Sequence, residues 1–243
     1  TAEFLEAGNN PGLRYVLSCG QVGAMTVTLP PEYNPLLLKD GRIHIMRSVN
    51  GGPAVREGGS CFLIRKWDFA DDYTTITAVH VNDLMRRRHI LYPPTGGRAS
   101  LFGETDNMMK FLWLHNCDFQ IAGDRACSTV TSLCDNVQAD LSAYVSVQAN
   151  TGGSPVIFGA YVPARNMLEV ITELSDYSLN AGTYTVAEIV APTENTLEFQ
   201  TFVVQRGADR RFSSGSGLLF TSKRGNLENA LLTVDAIEEI TFA

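Results

Sequence analysis

The chain has 243 residues, 44% of them hydrophobic and 19% charged, with a formal net charge of −7 at pH 7. That is enough apolar chain to bury a full core, which excludes a disulfide-stapled miniprotein and a disordered segment. The acidic balance also argues against a protein whose main task is gripping nucleic-acid phosphates, because that task needs clustered positive charge.

No run of about 18 apolar residues occurs, so no membrane span is expected. Residues 1–10 carry neither the basic residues nor the apolar stretch of a signal peptide, and folding in the cytosol is the expectation. The five cysteines, Cys19, Cys61, Cys117, Cys127 and Cys134, show no two-residue spacing. They are expected to be free thiols packed as small hydrophobes rather than a disulfide framework or a zinc knuckle.

In chain order, the first third reads as β structure. Alternating and β-branched residues at 22–29 and 42–49 predict a hairpin, and the runs at 61–67 and 73–81, separated by Asp71-Asp72, predict a second one. Asn82 or Asp83 then caps a short helix that ends in Arg86, Arg87 and Arg88. These arginines fit the negative end of a helix dipole better than a nucleic-acid patch. Residues 93–104, rich in Pro and Gly, read as a connection. A second helix starts at Thr105 or Asp106, and its Met108, Met109, Phe111, Leu112, Trp113 and His115 lie nearly all round it. That pattern predicts burial on more than one side or packing against a neighbouring subunit, so Met108, Met109 and Trp113 are candidate interface residues.

Residues 118–160 read as an irregular insertion with a strand-like stretch at 143–148 and a Gly152-Gly153-Ser154-Pro155 turn. From Asn166, the spacing of Met167, Leu168, Ile171, Leu174 and Ser178 predicts a helix stopped by Gly182. Strands at 183–190 and 197–205 follow, joined by a turn at 191–195. Arg206, Asp209, Arg210 and Arg211 lie in a polar turn that is either an interface clamp on a neighbouring carboxylate or an internally paired turn. Further short strands are expected at 217–222 and 231–242. The changes in periodicity divide the chain into 1–95, a β domain; 96–160, a helix-containing connector; and 161–243, an α+β domain. The class is α+β and β-rich.

Chemistry-bearing motifs are sparse. His44, His80, His89 and His115 show no metal-ligand spacing, and no phosphate-cradling glycine loop or nucleophile elbow occurs. No catalytic residue, metal or cofactor is expected.

Three stretches resemble the tail-hub (baseplate hub) proteins of long-tailed, siphovirus-type bacteriophages: ITAVHVNDLMRRRHILYPP at 76–94, NMLEVITELSDYSLNAGTYTV at 166–186, and LEFQTFVVQRGADRRFSSGSGLLFTSKRGNLEN at 197–229. In that family a strand leads into a short Asp/Leu helix ending in an arginine and a proline, matched by Asp83, Leu84, Arg88 and Pro93. Later a helix precedes two strands and an Arg-Gly-x-Asp-Arg turn, matched by Arg206, Gly207, Asp209 and Arg210. The chain departs at His80 and Val81, where the family tends to carry glycine.

The resemblance implies two tail-tube-like β-barrel or sandwich domains with flanking helices. It implies a non-enzymatic virion protein at the tail tip, assembled in the host cytoplasm as a homotrimer and joining the tail tube to the tip. Its implied partners are the tube or distal tail protein, a tip or fibre protein and the tape measure, with genomic DNA passing through the channel without specific binding. Two other readings stand beside it: a tail-associated cell-wall hydrolase or peptidase, and the hub adaptor of a phage-tail-like injection machine.

Overall fold

A computed structural model describes residues 12–47, 53–90, 99–117, 141–161 and 165–204. All of them belong to one unit, residues 1–204, and a second unit, 205–243, lies outside the described residues. The architecture is α+β and β-rich, as the periodicity predicts.

Five antiparallel strands, β1 (Leu13–Val16), β2 (Ala24–Leu29), β3 (Arg42–Arg47), β4 (Val55–Phe69) and β5 (Thr74–His80), form a sheet in the order β1-β2-β5-β4-β3. The expected hairpin around Asp71-Asp72 is the β4–β5 pair. The other expected hairpin does not form: β2 pairs with β1 and β5, and β3 pairs with β4 at the far edge. Side-chain fit across the sheet decides this, since Met25 faces Ala78 and Val27 faces Ile76, which seats large inward residues beside smaller ones. The intervening chain forms a 3-10 helix at Pro31–Leu36 and brings Tyr33 and Leu37 against Leu29, Ile64 and Ile76.

Alternation along β5 is complete, with Thr74, Ile76, Ala78 and His80 buried and the residues between them half-buried. In β4 the run Cys61-Phe62-Leu63-Ile64 is buried throughout. Phe62 and Ile64 belong to the two clusters formed by the sheet's own strands, while Cys61 and Leu63 join the main core. Burial of a strand on both faces produces this continuous apolar run.

Beyond β5 come α1 (Asp83–Arg86), β6 (Ala99–Glu104), α2 (Thr105–Cys117), β7 (Val145–Val147), β8 (Val156–Tyr161), α3 (Met167–Asn180), β9 (Thr185–Val190) and β10 (Leu197–Val203). β10 lies between β7, which is parallel to it, and β9, which is antiparallel, and β6 and β8 form a separate antiparallel ribbon. β7 falls within the strand-like stretch expected at 143–148. Two expectations are corrected: the Pro/Gly-rich stretch 93–104 ends in a strand, and the otherwise irregular 118–160 also contains the start of β8.

Helix α2 is central. Met108, Met109, Leu112 and Trp113 are buried in the chain's own main cluster, and Trp113 stacks on Phe199 at a centroid distance of 5.0 Å. Its nearly continuous apolar surface is explained by this position within one chain, without a neighbouring subunit.

Helix α3 is built as its sequence predicts. The Asn166 side chain accepts the Leu168 and Glu169 amides at 3.0 and 3.4 Å, satisfying two donors that a helix start leaves free. At the other end Thr183 N donates to Ser178 O at 3.1 Å and Gly182 N to Leu179 O at 2.9 Å. Gly182 sits at φ +95°, so the helix closes with the left-handed glycine stop. The buried Ser178 hydroxyl donates to Thr183 O at 2.6 Å, which lets a polar residue sit on the core face.

Candidate functional site

Two of the segments that carry the family resemblance, 76–94 and 166–186, meet along a hydrogen-bonded seam that continues into the neighbouring Arg165 and β9. Asn82, fully buried, donates from Nδ2 to Gln21 O at 2.9 Å and accepts the Ile189 amide on Oδ1 at 2.8 Å. Met167 N donates to Arg88 O at 2.8 Å, Ile90 N donates to Arg165 O at 2.9 Å, and Asn166 Nδ2 bonds Arg86 O. On the same side the buried Glu188 carboxylate accepts the Gly20 amide at 2.8 Å. His80, where the family tends to carry glycine, is buried with its ring edge-on to Phe62 at 5.7 Å, and its Nδ1 accepts the Asn82 amide at 3.3 Å. Its place is a packed one.

Arg86 and Arg87 of the arginine run belong to an ion-pair network. Asp83, 3% exposed at its side chain, pairs with Arg65 at 2.8 Å, Arg87 at 3.0 Å and Arg86, and Asp40 pairs with Arg65 and, at 3.2 Å, with Arg87. A register shift between Ile64 and Lys66 inserts Arg65 as an extra residue of β4. Such a bulge re-aims a side chain, and here Arg65 reaches the Asp83 carboxylate. Helix α1 has only four residues, so carboxylates rather than a macrodipole hold these arginines.

A second polar centre lies at the start of α2. Asp106, fully buried, accepts the Ser154 hydroxyl at 2.6 Å and the Thr151 hydroxyl at 3.4 Å, and Lys110 Nζ stands 3.6 Å away. Lys110 also donates to Ala149 O at 2.9 Å. Burial pushes the Asp106 carboxyl up, but the Ser154 hydroxyl, the Lys110 charge and backbone amides outweigh it and leave the group below the ordinary carboxylate value. Burial pulls Lys110 down against the opposing charges of Asp106 and Glu198. The expected cap residues thus anchor the 148–155 loop, with Thr105 Oγ1 donating to Pro155 O at 2.9 Å.

Nucleophile chemistry finds little support among the described thiols. Burial pushes Cys61 up to about 11, against the pull of Arg42 and Arg56, which suppresses its thiolate. Cys117 is buried as well, whereas Cys19 is exposed, contrary to the expectation of buried thiols. Cys19 lines a small cleft with Gln21, Thr172, Asp176 and Tyr184. Burial, Cys19, Asp176 and Glu188 push the Tyr184 hydroxyl up, leaving it a neutral donor. Among the described residues, no three His, Cys, Asp or Glu side chains converge as a metal site. No described helix is long and apolar enough to cross a membrane.

Of the sequence-predicted interface residues, Met108, Met109 and Trp113 are interior, and Arg206, Asp209, Arg210 and Arg211 lie outside the described residues. The surface that stands out instead is the β6–β8 ribbon. Phe102 faces Phe158 across the two strands, and both are exposed. A signal for this was present in the sequence: Leu101-Phe102-Gly103 and Ile157-Phe158-Gly159 repeat one pattern, and antiparallel pairing sets Phe opposite Phe and each glycine opposite an aliphatic residue.

No protein-family profile matches the chain, and no curated protein matches it. Among solved structures, it is similar to the prophage tail protein gp18 from Listeria monocytogenes EGD-e, with 11% identity and a TM-score of 0.41 over 77% of this chain and 43% of that one. It is also similar to the 43 kDa tail protein of prophage MuSo2 from Shewanella oneidensis, with 11% identity and a TM-score of 0.32 over 74% of this chain and 44% of that one. The chain therefore spans less than half the length of either structure.

Proposed function

We propose that the protein is a structural virion component, a homotrimeric tail or baseplate hub that joins the tail tube to the tail tip and forms part of the DNA-conducting channel. The observation that carries this reading is the seam just described. The strand, Asp83 helix and arginine run at 76–90 pack by paired backbone and asparagine hydrogen bonds against the start of α3 and against β9. Two stretches far apart in sequence that separately resemble hub proteins thus lie against each other through the Met167–Arg88 and Asn166–Arg86 hydrogen bonds, which supports reading them as parts of one shared fold. The polar centres described above are consistent with a structural role, since their charges are spent on one another and on backbone groups. In this reading the neighbours are other tail proteins, and the DNA slides past without specific contacts, which the overall negative charge favours by repelling phosphates.

Negative-stain class averages of the purified chain test this reading. Closed rings with three-fold symmetry, from protein that does not degrade purified cell wall, are the expected result. Isolated single particles that hydrolyse peptidoglycan would replace the hub reading with the hydrolase one.

A further inference from the structure

Where β5 begins, at the opposite end of that strand from Asn82, the five-stranded sheet gathers four large apolar side chains in solvent. Leu36, Leu38, Phe69 and Tyr73 are each at least half exposed, from 50% to 68%. Local structure brings them to one end. Phe69 pairs with Thr74 and Ala70 N donates to Tyr73 O at 2.9 Å, which closes the β4–β5 turn. The Thr74 hydroxyl donates to Asn34 Oδ1 at 2.6 Å and pins the 3-10 helix beside that turn. Tyr33 and Leu37 pack on the cluster of Leu29, Ile64 and Ile76, which leaves Leu36 and Leu38 in solvent. Trp67 packs on the same cluster. Phe69 follows it at the spacing of one strand face and stands beyond the cluster's edge.

Charge around these side chains says what fits them. Glu32, Asp71 and Asp72 are exposed, and no described cation pairs with them, whereas Asp68 is taken by Lys66 at 2.7 Å. Lys39 is the only base in residues 31–40 and 68–74. A second copy of a chain with net charge −7 meets this acidic rim with repulsion, and a basic surface meets it with attraction. The β6–β8 ribbon offers no such guide, since Glu104 is the one charge in its strands and accepts the Asn107 carboxamide at 2.9 Å.

The four side chains expose roughly 400 Å² of apolar surface at the usual size of such groups. That is close to the apolar share, about 57%, of the roughly 800 Å² that each partner contributes to a stable pair. We propose that this end of the sheet is a docking surface for another protein of the assembly, one whose contact face is apolar with arginine or lysine around it. The inference rests on the reading of the chain as a joining component and adds the surface and the chemistry of one neighbour.

The test places a photoreactive residue at position 69, and separately at 73, of the full chain in assembled tails, and identifies the cross-linked peptides by mass spectrometry. Cross-links from both positions to one other protein are expected, at a stretch carrying apolar residues together with arginine or lysine. Cross-links exclusively to a second copy of this chain, to acidic stretches or to no protein overturn the docking surface while leaving the hub reading in place. A chain absent from assembled tails overturns that reading and this inference with it. The cross-linked neighbour, purified, is then titrated with the full chain at low and high salt, with circular dichroism to check that the variants fold. F69S/Y73S is expected to weaken binding on the order of tenfold or more. D71N/D72N is expected to weaken it several-fold at low salt and to flatten its salt dependence. Unchanged affinity in F69S/Y73S overturns the surface, and unchanged salt dependence in D71N/D72N overturns the basic character of the partner.

Discussion

Asn82 and Ile189 are joined by a hydrogen bond of 2.8 Å from the Ile189 amide to the Asn82 carboxamide oxygen, and this bond ties the end of the five-stranded sheet to β9. Because Asn82 also holds Gln21 O, one side chain satisfies two backbone groups at the seam. Asn82→Ala leaves both without this partner, at a cost of about 2–4 kcal/mol by the usual penalty for buried unsatisfied groups. Asn82→Asp is expected to be no better, since it turns a buried carboxylate oxygen toward the Gln21 carbonyl. Urea denaturation of both variants checks the order.

Gly23 has a different kind of necessity. A Cβ at this position would stand 2.1 Å from the Val16 carbonyl oxygen, so Gly23→Ala must displace β1 or the start of β2. A loss of about 2 kcal/mol or more is expected. At Gly152, with φ +70° and open space around it, alanine meets backbone strain alone, about 1 kcal/mol. Thermal denaturation should rank Gly23→Ala well below Gly152→Ala.

The Asp106–Lys110 pair makes stability depend on acid. Asp106 has its folded pKa below the ordinary value of 3.8, so its contribution is fully present above that value and is lost as the pH falls through the lower folded one. Asp106→Asn, which leaves Lys110 buried without its counter-charge, should cost about 3–5 kcal/mol at pH 7. The gap between wild type and variant should narrow below about pH 4. Denaturation curves at pH 7, 5, 4 and 3 follow that convergence.

The described thiols should differ sharply in reactivity. With Cys61 at about 11 against an ordinary 9.0, its thiolate fraction is about 100-fold lower before access is considered. Alkylation followed by peptide mass spectrometry should mark Cys19 in native protein, and Cys61 and Cys117 only after unfolding.

Legibility in the sequence followed the range of the interactions. Helix α3, with its start near Asn166 and its Gly182 stop, and the β9–β10 and β4–β5 hairpins are set by neighbours in sequence, and these were readable there, whereas the Asn166 side-chain cap was seen only in the fold. The partner of β2 was not, because Met25 and Val27 find their fit on β5, some fifty residues away. Strand β6 was hidden for the same reason: its partner β8 lies beyond α2, and its six residues carry little alternation of their own. The all-round apolarity of α2 was legible as burial, but whether the cover came from the same chain was not, since Trp113 meets Phe199 only through the tertiary fold. At the site, the sequence placed the arginine run at the end of a helix, while Asp40 and Asp83, the partners of Arg87, and Asp83, the partner of Arg86, became visible only in the fold, where the bulge at Arg65 also draws that residue to the Asp83 carboxylate.

The mass of the purified chain in solution, measured by light scattering across a range of concentrations, tests the central claim most directly. The account predicts a species near three times the 26.5 kDa of one chain. A single-chain mass at every concentration, from protein with native circular dichroism, would contradict it.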